Sequence, residues 1–249
     1  MEEPLSGRVA LVTGGGTGIG RAIAFALAEK GASVAVNYSR SRRDAEGTAD
    51  TIRGRGRRAL AVQADVSVDS EAQEMVGRVV HEFGRLDILV NNAGTTRFVE
   101  HADLEALTEE VWDRIFAVNV KGTFFCTRAA VGAMTEGRII NIGSVAGVNG
   151  SGSSIAYAAS KAAIHTMTRS LARALAPRIT VNAIAPGLIE TRWHAAVAGR
   201  EADNARRAQS FPARRIGRPE DIAHIALALA TAENFITGQV IVVDGGALL

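Results

Sequence analysis

The sequence predicts an α/β fold, a parallel β-sheet covered by helices on both faces within one domain. Three observations carry this expectation. Short runs rich in Val and Ile recur along the chain, longer amphipathic stretches separate them, and no Pro/Ser-rich linker or repeat breaks the alternation. Strands joined by helices make right-handed crossovers, and such crossovers build parallel sheets. At 249 residues, 47% hydrophobic and 22% charged, the chain can bury a large core and lacks the composition of a disordered segment.

Taken in order, the strand candidates are "RVALVT", "ASVAVNY", "RALAVQ", "LDILVN", "RIINIG", "RITVNAIA" and "QVIVVD". Each is nearly continuous in hydrophobicity, as strands covered on both faces must be. Helical patterns fill the intervals, among them 19–30, 70–83, 109–134 and 156–176. The stretch 188–212, "LIETRWHAAVAGREADNARRAQSFP", carries helical signals without a strand partner of its own. At the carboxyl edge of a parallel sheet it would overhang the ligand crevice. The economical reading is one domain over 1–249 with this segment covering the substrate.

Several classes are excluded early. A formal net charge of +2 argues against nucleic-acid or membrane partners, and "RGRGRR" (53–58) lacks the interleaved aromatics of a nucleic-acid surface. The single Cys126 suits a reducing compartment, "MEEPLSGR" has no apolar leader core, and no apolar run approaches the roughly 18 residues that span a bilayer. A soluble, cytoplasmic protein is expected. The five histidines show no metal-ligand pairing. His165 is read as facing a neighbour or solvent, and His194 as a surface residue that could meet substrate.

The first strand–helix turn, "VALVTGGGTGIGRAIAFALAEKG", holds the strongest ligand signal. Its glycines permit a tight turn and close approach of backbone to a ligand, and the free N–H groups of the helix start attract a pyrophosphate. It is not a P-loop: Arg21 and Ala22 stand where Lys and Ser/Thr are required, so a magnesium ligand is missing.

"TGGGTGIG" (13–20), "NNAG" (91–94), "NVKG" (119–122), Gly143-Ser144, "YAASK" (157–161) and "PGLIET" (186–191) resemble, in order and spacing, the signatures of the short-chain dehydrogenase/reductase family. The resemblance covers essentially the whole chain. It implies a Rossmann-type, doubly wound domain with a seven-stranded parallel sheet, a nicotinamide dinucleotide and a homotetramer. It assigns catalysis to Asn119, Ser144, Tyr157 and Lys161. It assigns cofactor binding to Gly14, Thr17, Gly18, Ile19 and Gly20, to Asn92, Ala93 and Gly94, and to Tyr157 and Lys161 through the ribose. Asp65 and Val66 would flank the adenine, and Pro186, Gly187, Ile189 and Thr191 would meet the nicotinamide side.

The residues suit that chemistry. Hydride transfer to a carbonyl leaves an alkoxide that needs a proton. Tyr157 and Lys161 share a helix face, about 6 Å apart along the axis, so the ammonium is expected to lower a phenol pKa ordinarily near 10. By analogy Ser144 bonds the substrate oxygen, and Asn119 completes a proton relay through its backbone and a water. Serine hydrolysis is set aside, because Ile142 occupies the first glycine position of the G-x-S-x-G elbow. A non-catalytic dinucleotide sensor is the alternative of another class, with no chemical reason to keep those four residues together.

After the second strand come Asn37, Tyr38, Ser39 and Arg40, with no acid before Asp44. Arginine there suits the 2′-phosphate of NADP(H), whereas NAD(H) calls for an acidic residue. Thr17 stands where many NADP-using relatives carry a basic residue. The substrate is a small carbonyl or alcohol compound. "NIGSVAG", "SLARALA" and "GQVIVVDGG" are similar to the 3-oxoacyl-carrier-protein reductase branch, which would make an acyl carrier protein a partner, with Arg173 and Arg178 offering basic contacts. Thr135 and Glu136 depart from the more basic pattern of such reductases. A small alcohol, sugar, polyol or diketone is the alternative substrate.

Overall fold

A computed structural model describes residues 3–192, 206–231 and 235–249. Trp193, His194, Val197 and Arg200 of the predicted covering segment lie outside the described residues. All seven predicted strands form: β1 Val9–Val12, β2 Ser33–Tyr38, β3 Ala59–Gln63, β4 Ile88–Asn91, β5 Gly137–Ile142, β6 Ile179–Pro186 and β7 Val240–Val243. They make one parallel sheet in the order β3-β2-β1-β4-β5-β6-β7. The order reverses between β1 and β4, and an open α/β sheet places ligands in the crevice at such a point.

Helices α1 Gly18–Glu29, α2 Arg42–Gly54 and α8 Pro219–Thr231 cover one face. Helices α3 Asp69–Phe83, α5 Gly122–Ala133 and α7 Ile155–Leu175 cover the other. Along β1, Ala10 and Val12 enter the first core while Val9 and Leu11 enter the second. Alternate residues of a strand point to opposite faces, so a strand buried on both sides must be apolar throughout. The short α6 is Ala146–Asn149.

One predicted helix differs from expectation. The stretch 109–134 is α4 Glu109–Phe116, a π-helical turn Ala117–Lys121, then α5. Asn119 lies in that turn. π-turns collect at functional sites, and hydrophobic periodicity does not reveal them.

At the opposite end of the sheet, Asp87 anchors β4. Its carboxylate, 4% exposed, accepts from the Arg8 Nη1 at 2.8 Å, the Val9 N–H at 2.9 Å, and Arg85 Nε and Nη2 at 2.8 and 2.6 Å. Burial alone would raise its pKa, but bonds from Arg85, Arg8 and Val9 outweigh that and hold it below the usual carboxylate value of 3.8. A depressed carboxylate stabilises the fold above its unfolded pKa and loses that contribution as pH falls. Asp87→Ala is therefore expected to cost about 2–3 kcal/mol in urea denaturation at pH 7, with the gap narrowing below about pH 4. A cost below about 0.5 kcal/mol at pH 7 would show that the exposed arginines find equal partners in water.

Candidate active site

The glycine turn forms as its sequence suggests. Thr17, the residue before α1, makes no side-chain cap, and the first turn holds no acidic residue. The leading N–H groups of α1 therefore have no side-chain acceptor, which is what an entering anion requires. Gly14 and Gly18 sit at positive φ (61° and 52°), conformations that L side chains rarely adopt. A Cβ on Gly18 would lie 3.2 Å from Thr191 Cγ2, and one on Gly16 would lie 2.9 Å from the Ala45 nitrogen. The turn is thus enclosed by "PGLIET" on one side and the start of α2 on the other.

Gly20 corrects the expectation from resemblance. It is buried away from the crevice, where a Cβ would meet Asn92 Nδ2 and the Gly14 carbonyl at 2.5 Å each. It is a packing glycine, small because the "NNAG" loop presses on α1. Asn92 donates from Nδ2 to the Thr13 and Gly14 carbonyls at 2.9 and 3.1 Å, and the Thr13 hydroxyl accepts from the Asn92 and Ala93 N–H groups, each at 3.0 Å.

A cleft of about 620 Å³ opens at the carboxyl ends of the strands, walled by Gly14, Thr17, Gly18 and Ile19. Ala93, Gly94, Asp65 and Val66 form its floor, and Ser144, Tyr157, Lys161, Pro186, Gly187, Ile189 and Thr191 its far end. Tyr38, Ser39 and Arg40 line the near end, with Ser39 and Arg40 exposed. Asn37 also borders the cleft, but its side chain serves the protein. Oδ1 accepts from the Gly14 N–H at 3.2 Å, and Nδ2 reaches the Ala64 and Val62 carbonyls at 3.1 and 3.3 Å. The Asp65 carboxylate is likewise taken up, by the Ser67 N–H at 2.9 Å, the Ser67 hydroxyl at 2.6 Å and Arg114 at 3.4 Å. Burial would raise its pKa; the Ser67 bonds and Arg114 carry it down instead.

Helix α7 carries the acid candidates. The Ser154 hydroxyl caps it by accepting from the Tyr157 N–H at 3.2 Å. Tyr157 is half-buried, and its phenol shares a hydrogen bond with Ser144. Lys161, 5% exposed, donates from Nζ to the Ile142 carbonyl at 2.8 Å, with Nζ 5.6 Å from the Tyr157 ring centroid. The β4 pairing ends at Asn91 opposite Asn141, so Ile142 is the first β5 residue beyond that ladder.

The expected electrostatic tuning is not what this geometry gives. Burial pushes Tyr157 up to about 12, with the Ser144 bond acting the other way, and burial pushes Lys161 down to about 8. The phenolate loses its hydration, and the ammonium points at a carbonyl rather than at the phenol oxygen. Both shifts favour the neutral form of each group.

Asn119 stands behind the cleft wall, fully buried. Its Oδ1 accepts from the Thr95 N–H at 2.8 Å, and its Nδ2 donates to the Thr95 carbonyl at 3.0 Å and the Ser160 hydroxyl at 2.9 Å. It ties the π-turn to α7 and to the loop that follows β4.

Comparison with known proteins agrees with the geometry. Residues 14–247 match the sequence family described as enoyl-(acyl carrier protein) reductase. A protein that carries the name granaticin polyketide synthase ketoacyl reductase 2, from Streptomyces violaceoruber, is 46% identical over 246 residues, covering 97% of this chain and 96% of its own. The 3-oxoacyl-acyl-carrier-protein reductase of Staphylococcus aureus is 42% identical over 242 residues, covering 95% and 96%. A short-chain dehydrogenase from Burkholderia cenocepacia, solved in complex with NADP, superimposes with a TM-score of 0.91 at 38% identity, over 99% of this chain and 100% of that one. The chain belongs to the short-chain dehydrogenase/reductase family. It is an oxidoreductase with the Rossmann-type sheet of that family.

Sequence reasoning missed part of the cleft wall near Ser144 and Tyr157. Phe98, Ser151, Gly152 and Ser153 line that end of the cleft. The Ser153 and Thr96 hydroxyls meet at 2.5 Å, and the Ser153 carbonyl accepts from the Val99 N–H at 2.9 Å. These loops have no periodicity, and nothing local in sequence joins 96–99 to 151–153. Arg192 and Arg207 also line the cleft, and Arg192 is paired with Asp44 at 2.9 Å. His165 takes the first of its two expected surroundings, a neighbouring segment. It is 5% exposed, packed behind the Ser144 loop rather than facing solvent. Among the described residues no cluster could hold a metal, and no helix is long and apolar enough to cross a membrane.

Proposed function

We propose that the chain interconverts a carbonyl and a secondary alcohol using NADP(H), with Tyr157 as the acid or base. The observation that carries this reading is the hydrogen bond between the Ser144 and Tyr157 hydroxyls beside buried Lys161, in a cleft continuous with an uncapped helix start. The cradle fits a dinucleotide: the α1 N–H groups, Gly14 and Gly18 would receive the pyrophosphate, and Ser39 and Arg40 the 2′-phosphate. When bound, the reduced nicotinamide supplies hydride to the carbonyl carbon. Ser144 donates to the carbonyl oxygen and fixes its position. Tyr157 holds the proton that this oxygen takes up, and Lys161 orients the ribose hydroxyls and supplies positive charge behind the phenol. Asn119 holds the π-turn in place and contributes its backbone to the proton path. Pro186, Gly187, Ile189 and Thr191 close the nicotinamide end.

For substrate we favour a 3-oxoacyl thioester, supported by the names of the two curated relatives. Two hydroxyls converging on one oxygen suit a ketone, whose oxygen gains charge, better than an enoyl group, which takes its proton on carbon. A small alcohol, sugar, polyol or diketone is the second reading, supported by the exposed Glu136 and by Arg178, whose Nη1 is engaged by the Met134 carbonyl at 2.8 Å. A cytoplasmic homotetramer is part of the proposal, supported by the exposed Phe124 on α5 and Val242 on the edge strand β7.

The test is reduction of acetoacetyl-CoA, crotonyl-CoA and a panel of small ketones with NADPH or NADH. Acetoacetyl-CoA is expected to be reduced, crotonyl-CoA not, with kcat/KM at least about tenfold higher for NADPH and that preference lost in Arg40→Ala. A clear NADH preference would overturn the cofactor assignment, and faster turnover of a small ketone the thioester.

A further inference from the structure

We propose that His165 is a positioning residue for this reaction, a buried imidazole that holds the Ser144 loop at its working distance from Tyr157. The proposal rests on the reading of Ser144 and Tyr157 as the groups that meet the substrate oxygen. Tyr157, Lys161 and His165 are spaced i, i+4 and i+8, so they share one face of α7 over about 12 Å of its length. Only the first two have a role in the reaction as read so far. The third is 5% exposed, and nothing at the surface accounts for burying a polar ring there.

The ring sits against both ends of the span that carries Ser144. A Cβ on Gly143 would lie 2.8 Å from His165 Cδ2, and one on Gly147 would lie 2.9 Å from His165 Cε1. Gly147 also packs directly on the helix, where a Cβ would be 2.6 Å from the Ala162 nitrogen. Neither glycine has the positive φ that would explain it on backbone grounds. They are small because the imidazole and the helix occupy the space a side chain would need.

Hydrogen bonds complete the arrangement. Lys161 Nζ takes the Ile142 carbonyl at 2.8 Å, just before the span, and His165 hydrogen-bonds the Gly147 backbone at its end. Among the described residues His165 Nε2 is buried without a partner, which leaves Nδ1 as the nitrogen that donates to the Gly147 backbone. A proton on Nε2 would have no acceptor and would face the charges of Lys161 and Arg169. Burial, followed by those two cations, pushes the imidazole pKa down to about 4, so the ring is neutral at any working pH. Between its two tethers the loop is itself turned tightly: the Ala146 N–H donates to the Ser144 hydroxyl at 3.1 Å, and the Val145 N–H to the Pro186 carbonyl at 3.0 Å. Displacing either tether moves the Ser144 hydroxyl relative to the phenol.

The experiment compares His165→Ala, His165→Asn and the double variant Gly143→Ala/His165→Ala with wild type, and carries Tyr157→Phe as a control. The first readout needs no substrate. Hydrogen exchange over 143–149 should quicken at least about tenfold in His165→Ala while the glycine turn 14–20 is unchanged. The second is kinetic: kcat for acetoacetyl-CoA, or for the best ketone of the panel, should fall about 10- to 100-fold, as for a catalytic group misplaced by an ångström. The dissociation constant for NADPH, whose phosphates lie at the other end of the cleft, should stay within about threefold. His165→Asn keeps a donor near the Nδ1 position and should recover part of kcat. The double variant, whose added methyl fills some of the vacated space, should exceed His165→Ala in kcat. Unchanged exchange in the loop, or a looser loop with kcat within twofold of wild type, would overturn the proposal. Should His165→Ala fail to fold, His165→Leu, which fills the space without a donor, gives both readouts, and wild-type kcat and exchange in it would overturn the proposal. Full activity in Tyr157→Phe would instead remove the acid assignment, leaving loop exchange to decide whether His165 holds the span.

Discussion

Tyr157→Phe is expected to lower kcat for carbonyl reduction by at least about 10³-fold while leaving NADPH binding within a few-fold of wild type. The substitution removes one oxygen and leaves the ring, so packing on α7 is preserved. What is lost is the proton that the developing alkoxide takes up. The pH dependence follows from the two shifts in the site. With Tyr157 pushed up to about 12, the phenol remains protonated throughout the useful range and sets no limb in the reductive direction. Lys161, pushed down to about 8, loses its charge first. Reduction should therefore hold a plateau below about pH 8 and decline above it as the positive charge behind the phenol disappears. A pH–rate profile measured at saturating cofactor checks this. A reductive rate that climbs through pH 8 would refute the assignment of donor and cation, and residual activity above a tenth of wild type in the Phe variant would refute Tyr157 as the acid.

Lys161→Met should separate stability from function in opposite directions. The ammonium is 5% exposed and has one hydrogen bond to a neutral carbonyl, with its pKa lowered by burial from 10.5 to about 8. A lysine depressed in this way binds fewer protons folded than unfolded between those values. Its charged form thus opposes folding fully below about pH 8, and the penalty is relieved as pH rises toward 10.5. The shift corresponds to about 3 kcal/mol, part of which the bond to Ile142 already offsets. Methionine has similar length and no charge, so the variant should gain about 1–2 kcal/mol at pH 7, a rise in Tm of several degrees. The gain should shrink toward zero near pH 10. Activity should fall by at least about 10²-fold, since the charge and the ribose contact go together. Scanning calorimetry at pH 7 and pH 10, beside turnover, is the measurement. A Met variant less stable than wild type at pH 7 would mean that the ammonium is better satisfied than one carbonyl suggests.

The pattern matches the general tension between stability and activity: a buried, weakly paired lysine and a buried, unpartnered imidazole nitrogen are both unfavourable groups concentrated within two turns of one helix. Their cost is borne by a large apolar core on each face of the sheet.

Much of the molecule was legible in sequence because its signals are local. The central strands are buried on both faces and so nearly continuous in apolar residues, and the two edge strands β3 and β7 are rich enough in Ala, Leu, Val and Ile to be read beside them. A turn that must reach positive φ, as at Gly14 and Gly18, has to be glycine. Tyr157 and Lys161 are four residues apart on a helix, and that spacing alone places them together.

What the sequence could not decide are relations between distant segments. Gly20 looked like its neighbours in the turn, yet the "NNAG" loop pressing on α1 makes it a packing residue. Asn37 and Asp65 line the cleft, and only the fold shows that their polar atoms also bond Gly14, Ala64, Ser67 and Arg114. The π-turn at Asn119 breaks a helix whose periodicity runs on unchanged. The sequence by itself determined the sheet, the glycine turn and the tyrosine–lysine pair, because each is set by backbone conformation or by a spacing along one element. Only the tertiary structure decided that burial raises the Tyr157 pKa and lowers that of Lys161, and that His165 packs against the Ser144 loop, because burial and carbonyl direction belong to the packed molecule and not to any stretch of chain.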